Sequence, residues 1–128
     1  MTDLHLDTHV VLWLYVGEHH RIPFALRERM ATDPLRVSPM VRVELVYLHE
    51  IGRLDPPAHR VLDELEHSIG LVEDPMSFGA VAKAAETLTW TRDPFDRMIA
   101  AHALVSFATL ATSDETIRKA LGSYAVWD

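Results

Sequence analysis

Leu4-His5-Leu6-Asp7-Thr8-His9-Val10-Val11-Leu12-Trp13-Leu14-Tyr15-Val16 is the stretch that decides the fold. Leu4 to Asp7 reads as a short first strand, and Thr8 to about Val16 as the helix that follows it. Gly17-Glu18-His19-His20 then breaks that helix. The same alternation recurs along the chain. Pro23 opens a second helix at its first position, running to about Ala31, and Leu35-Arg36-Val37 is a second strand. Ser38-Pro39 caps a helix that ends at Gly52; Asp55-Pro56-Pro57 turns the chain into a fourth helix reaching about Ser68. Leu71 to Glu73 is a third strand, and a fifth helix spans about Met76 to Thr87. Asp93-Pro94 caps a sixth helix reaching Phe107. Thr109 to Thr112, Glu115 to Leu121 and Tyr124 to Trp127 supply strand, helix and strand. Short apolar strands alternating with helices predict a mostly parallel sheet covered on both faces, with function just beyond the carboxyl ends of its strands. Asp7 and the Thr112-Ser113-Asp114 run both stand there.

The bulk properties narrow the classes. At 128 residues and 48% apolar content the chain suits one domain, residues 1–128, with an ordinary core. It has no cysteine, which excludes disulfides, thiolate zinc sites and cysteine nucleophiles, and fits a reducing compartment. No apolar run approaches the ~20 residues of a membrane span, and Met1-Thr2-Asp3-Leu4-His5 lacks the basic start of a signal peptide. A soluble cytoplasmic protein with no membrane partner is expected. The net charge of −7 runs against nucleic-acid binding, unless the acids converge on a cation that reverses the local field.

Nineteen acids make no single one informative, so placement carries the argument. At about 100° per residue, Met40, Val41, Val43, Tyr47, Leu48 and Ile51 share a broad apolar face with Glu44 near its middle. An unpaired buried carboxylate is costly enough that it finds a partner or a metal. On the sixth helix Ile99, Ala100, Ala103 and Phe107 share a face along which Asp96 points, with Arg97 and His102 to the sides. Two helix-borne acids aimed at the core and two acids ending strands would repel one another strongly if they met. A hard divalent cation relieves that conflict, and all-oxygen ligation points to Mg²⁺ or Mn²⁺. Plainer roles compete. Asp7, Asp93 and Asp114 each stand where a helix cap would, Asp96 stands where a capping-box acid would, and Glu44 could pair with an arginine.

Four segments resemble the PIN-domain family, and within it the VapC-like toxin ribonucleases of VapBC toxin–antitoxin pairs. They are Leu6-Asp7-Thr8-His9-Val10-Val11-Leu12-Trp13; Val37-Ser38-Pro39 leading to Val43-Glu44-Leu45; Asp93-Pro94-Phe95-Asp96-Arg97-Met98-Ile99-Ala100-Ala101; and Leu110-Ala111-Thr112-Ser113-Asp114-Glu115. The resemblance implies a three-layer α/β/α fold around a central five-stranded, mostly parallel sheet. It also implies Asp7, Glu44, Asp96 and Asp114 as catalytic metal ligands for Mg²⁺ or Mn²⁺. Asp96 is preferred to Asp93 because it stands three residues before Ile99-Ala100-Ala101. Thr8 and Thr112 look like hydroxyl supports, and Arg97 is expected either to contact phosphate or to sit in a surface ion pair. The implied activity is hydrolysis of RNA by metal-activated water, leaving 5′-phosphate and 3′-hydroxyl ends. The implied partners are a VapB-like antitoxin, whose tail lies in a groove between the early helices, and a second copy of the chain in a two-fold dimer.

Rival readings fit less well. A haloacid-dehalogenase-type phosphatase wants a second Asp two residues after the first, where this chain has His9, and a response-regulator receiver has no place for two helix-borne acids. A PIN module that only binds its partner usually lacks one of the acids. His5 and His9 flank a strand end and share no helical face, so a histidine zinc site is not expected. Trp13, Trp90 and Trp127 read as core or interface residues.

Overall fold

The computed structural model describes residues 2–128. Its five strands are β1 (Leu4–Leu6), β2 (Leu35–Val37), β3 (Val72–Glu73), β4 (Thr109–Ala111) and β5 (Ala125–Val126). They form one sheet in the order β3-β2-β1-β4-β5, and every pairing is parallel. Leu4, His5 and Leu6 of β1 are all buried. A strand buried on alternate side chains in both directions requires cover on both faces, which the helices provide in a three-layer α/β/α fold.

The helices are α1 (Thr8–Val16), α2 (Phe24–Thr32), α3 (Pro39–Glu50), α4 (Ala58–Ile69), α5 (Phe78–Ala85), α6 (Pro94–Val105) and α7 (Glu115–Leu121). Local chemistry sets their ends. Ser38, Ser77, Asp93 and Asp114 cap α3, α5, α6 and α7 by accepting backbone N–H bonds. Gly17 and Gly70 close α1 and α4 with φ of 81° and 73°, a left-handed turn that glycine takes without a Cβ penalty. Pro23 precedes α2 as its cap residue instead of opening it, and α5 starts later and stops earlier than the sequence suggests because Ser77 captures its first turn.

The main core joins Leu4, Leu6, Val10, Val11, Val41, Leu45, Ile99 and Leu110. Trp13, Trp90 and Trp127 pack against it, partly buried as expected. Two helices are phased differently from the sequence reading. On α3 the buried positions are Val41 and Leu45, while Val43, Tyr47 and Ile51 are exposed; Glu44 therefore lies at the border of the buried stripe. Helix α6 is buried from Ile99 through Ala103, His102 included, whereas Phe107 is 90% exposed just past its end. Phe107 has φ of 55°, a left-handed conformation unusual for a bulky side chain.

Candidate metal centre

The parallel sheet delivers Asp7 from the end of β1 and Thr112 from the end of its neighbour β4, where Leu6 pairs with Ala111. Asp7 is 5% exposed. Its Oδ1 accepts the Thr8 N–H at 2.8 Å, and its Oδ2 accepts the Thr112 hydroxyl at 2.6 Å. The Thr112 Oγ1 also accepts the Asp114 N–H at 3.1 Å, so one side chain orients Asp7 and the turn carrying Asp114. The Thr8 hydroxyl crosses to α3 and donates to Glu44 Oε1 at 2.5 Å. Both threonines are thus placed as hydroxyl supports.

Capping explains some acids and not others. Asp114 Oδ1 accepts the Ile117 N–H at 2.9 Å, and Asp93 Oδ1 accepts from the N–H groups of Phe95 and Asp96. Asp96 is not a capping-box acid, because the Asp93 N–H that such an acid would accept goes to Thr91 Oγ1. Glu44 has no arginine partner; Arg42 beside it makes a two-pronged pair with Glu73. Among the described residues none of Asp7, Glu44, Asp93, Asp96 or Asp114 forms a salt bridge.

The structure brings the four acids within electrostatic reach of one another. Burial pushes Asp96 up to about 7, helped by the negative charges of Asp93, Asp7, Asp114 and Glu44. Burial raises Glu44 too, with Asp7 and Asp93 adding to it and the Thr8 hydroxyl opposing it. Asp7 is likewise raised by burial, against the bonds from Thr112 and Thr8. No three of the described His, Asp and Glu side chains already converge closely enough to enclose a cation. His9 favours the charged forms of Asp7 and Glu44 only as a lesser influence; carboxylate donors, two hydroxyl orienters and no lysine or arginine pair among the described residues form a donor set that fits a hard divalent ion.

Arg97 forms no surface ion pair among the described residues. Its guanidinium turns away and donates to the carbonyls of Ala85 and Glu86 at 2.8 and 3.2 Å, closing the end of α5. Two features escaped the sequence reading. The first is a buried polar knot beneath the site. His5 Nε2 meets Asp74 Oδ2 at 2.8 Å, His102 Nε2 lies 3.2 Å from Asp74 Oδ1, and His102 Nδ1 meets the Ser38 hydroxyl at 3.0 Å. It ties β1, α6 and the start of α3, which carry or precede Asp7, Asp96 and Glu44. Burial holds the His5 imidazole below its ordinary range, Asp74 only partly opposing that. The second is a cleft of about 440 Å³ lined by His9, Leu12, Glu44, Tyr47, Leu48, Arg53, Asp93, Pro94 and Phe95. Exposed Tyr47 is its one sequence signal, an apolar-face residue that the core does not use.

No curated protein matches the chain. The fold resembles a chain in the crystal structure of VapBC2 from Rickettsia felis bound to a DNA fragment from their promoter, with a TM-score of 0.68 and 16% identity over 98% of this chain and 99% of that one. Residues 4–121 match the PIN domain, a span running from the first strand through the last helix and containing all four acids, and the chain accordingly belongs to the PIN-domain family.

Proposed function

We propose that the protein is a Mg²⁺- or Mn²⁺-dependent endoribonuclease, the toxin of a VapBC-type pair. The observation that carries this reading is the setting of Asp96: burial and the nearby charges of Asp93, Asp7, Asp114 and Glu44 all raise it, and no lysine or arginine pairs with any of these acids among the described residues. Asp7, Glu44, Asp96 and Asp114 would hold the metal. When bound, such an ion positions the phosphodiester, acidifies the attacking water and stabilises the leaving oxygen. The chain's own residues do the rest. Thr112 and the Thr8 N–H fix the plane of the Asp7 carboxylate, and Thr8 holds Glu44 toward it. Asp96, raised to about 7, would have to give up its proton to hold the ion.

The partner reading has support elsewhere on the surface. A cleft of about 210 Å³ is lined by Leu14 of α1, His19, Arg27, Met30 and Ala31 of α2, Leu35 and Ile69. It suits the apolar side chains of an antitoxin tail whose basic residue reaches the acids. An apolar groove among Met40, Val43, Met76, Phe78 and Met98 suits pairing of two copies. Among the described residues no helix is long and apolar enough to cross a membrane.

Cleavage of single-stranded RNA by the purified protein, with Mg²⁺ or Mn²⁺ and with chelator, tests the central claim. Wild type should cut only with metal and leave 5′-phosphate ends, and Asp7→Asn and Asp96→Asn should not cut although folded. Metal at 100 times its dissociation constant should raise stability by roughly 2.7 kcal/mol. Cutting that survives chelation in all three proteins would refute the assignment.

A further inference from the structure

Glu44 faces two ways: it belongs to the acidic cluster, and it also lines the cleft of about 440 Å³ between α1, α3 and the start of α6. Whatever fills that cleft is therefore adjacent to whatever sits on the acids. The walls have a particular chemistry. Tyr47 is 49% exposed, and its ring packs against that of Phe95, centroids 5.9 Å apart at an interplanar angle of 36°, so the pair forms one aromatic wall of the cleft with a face of Tyr47 open to solvent. Leu12, Leu48 and Pro94 add apolar walls, and His9 and Asp93 bring groups able to bond the edge of a ligand. Arg53 is the one arginine or lysine among the lining residues, and it makes no ion pair among the described residues. Its backbone is anchored by its N–H to the Leu48 carbonyl at 2.9 Å, next to the bond between His49 Nδ1 and the Leu54 carbonyl at 3.0 Å.

We infer that this cleft is the subsite for one unpaired nucleobase of single-stranded RNA beside the scissile phosphate. The base stacks on the open face of Tyr47, which Phe95 backs, and Arg53 meets the adjoining phosphate. The inference rests on the nuclease reading and adds to it a place where sequence preference is read. Unstacked bases of single-stranded RNA are held in this way, on aromatic faces with arginine at the backbone. The cleft volume also falls within the range of small-ligand sites. A protein side chain could pack on the same aromatic wall, but a free arginine next to acidic residues matches a ligand that carries phosphate.

The test uses the wild-type protein with Mn²⁺ on a random-sequence single-stranded RNA pool, with cleavage sites mapped. A synthetic oligoribonucleotide of the preferred site follows, made abasic at each position in turn. Tyr47→Ala should lower kcat/KM roughly ten-fold, the size of one lost base–aromatic stack, and Tyr47→Phe should restore most of it. One abasic position beside the cut should cost wild type a similar factor and cost Tyr47→Ala nothing further. Arg53→Ala should reduce the salt dependence of binding by about one phosphate contact. If Tyr47→Ala does not fold, Arg53→Ala and the abasic series on wild type decide. Tyr47→Ala and Arg53→Ala cutting like wild type, or no abasic position mattering, overturns the subsite while the nuclease reading stands, and leaves the cleft to a protein ligand. A wild type that cuts no RNA with any divalent cation overturns the nuclease reading and the subsite together.

Discussion

Replacing Asp96 with Asn should make the metal-free protein more stable, and only above a particular pH. The carboxyl is lifted from its ordinary 3.8 to about 7, by burial first and by its acidic neighbours second. A folded-state value above the unfolded one means that the native protein holds an extra proton between roughly pH 4 and pH 7, so stability falls as pH rises through that window. At ~1.4 kcal/mol per unit, the shift corresponds to a ceiling of about 4 kcal/mol. Asp96 is only partly buried, and solvent screening reduces that to about 2 kcal/mol. Asparagine resembles the protonated acid in shape and carries no charge to repel. Urea unfolding in EDTA should therefore show Asp96→Asn and wild type nearly equal at pH 4, with the variant about 2 kcal/mol more stable at pH 8. Added Mg²⁺ should then stabilise wild type more than the variant. An Asp96→Asn protein less stable than wild type at pH 8 in EDTA, or a difference that does not move with pH, would show that Asp96 has a favourable partner and that the repulsion argument is wrong.

Thr112→Val removes the hydroxyl that orients Asp7 and should cost roughly 1–3 kcal/mol and at least ten-fold in cleavage, read by urea unfolding and initial rates. Asp74→Ala strands two buried imidazoles and the Met76 N–H and should cost about 3 kcal/mol or more at pH 7. Burial tends to raise Asp74, but hydrogen bonds led by the Met76 N–H and His5 hold it below the usual carboxylate range. Its contribution is thus present above about pH 4 and lost on acidification through its lowered folded value, so the deficit of the variant should narrow in acid-unfolding curves. Phe107→Gly relieves the left-handed φ of 55° and should stabilise by roughly 0.5–1 kcal/mol in urea, since the strain removed exceeds the chain entropy added.

The sheet was legible because each strand is a short segment carrying Leu, Val or Ala, ended by a polar residue or a turn and followed by a helical stretch or the chain end. Asp7 and Asp114 were legible as acids that follow β1 and β4, whereas helical spacing put Glu44 near the middle of an apolar face and it lies at the border of the buried stripe. The phase of α3 was not legible, because apolar residues surround most of that helix; Val41 and Leu45 meet the core, and Tyr47 is left outside. His102 was placed on a side of α6 because amphipathic reasoning allows one buried stripe, yet α6 is buried across five successive residues. Polar burial there is tolerated through Asp74, a partner 28 positions away that no local rule could assign. The bonds Arg97 makes were not legible for a similar reason: the carbonyls it caps lie at the end of the preceding helix.

The hydroxyl that fixes Asp7 belongs to a residue 105 positions further along the chain. β1 pairs with the late strand β4 as well as with the early strand β2. Ribosomes add roughly 5–20 residues per second, so the first acid and its orienting hydroxyl are made about 5–20 seconds apart. During that interval the growing chain already carries Asp7 and Glu44, but β1 has no neighbour on its far side and the pocket has no far wall. On the proposed function, the order of the strands acts as a delay: a protein destined to cut RNA is inert while it is still attached to the message that encodes it.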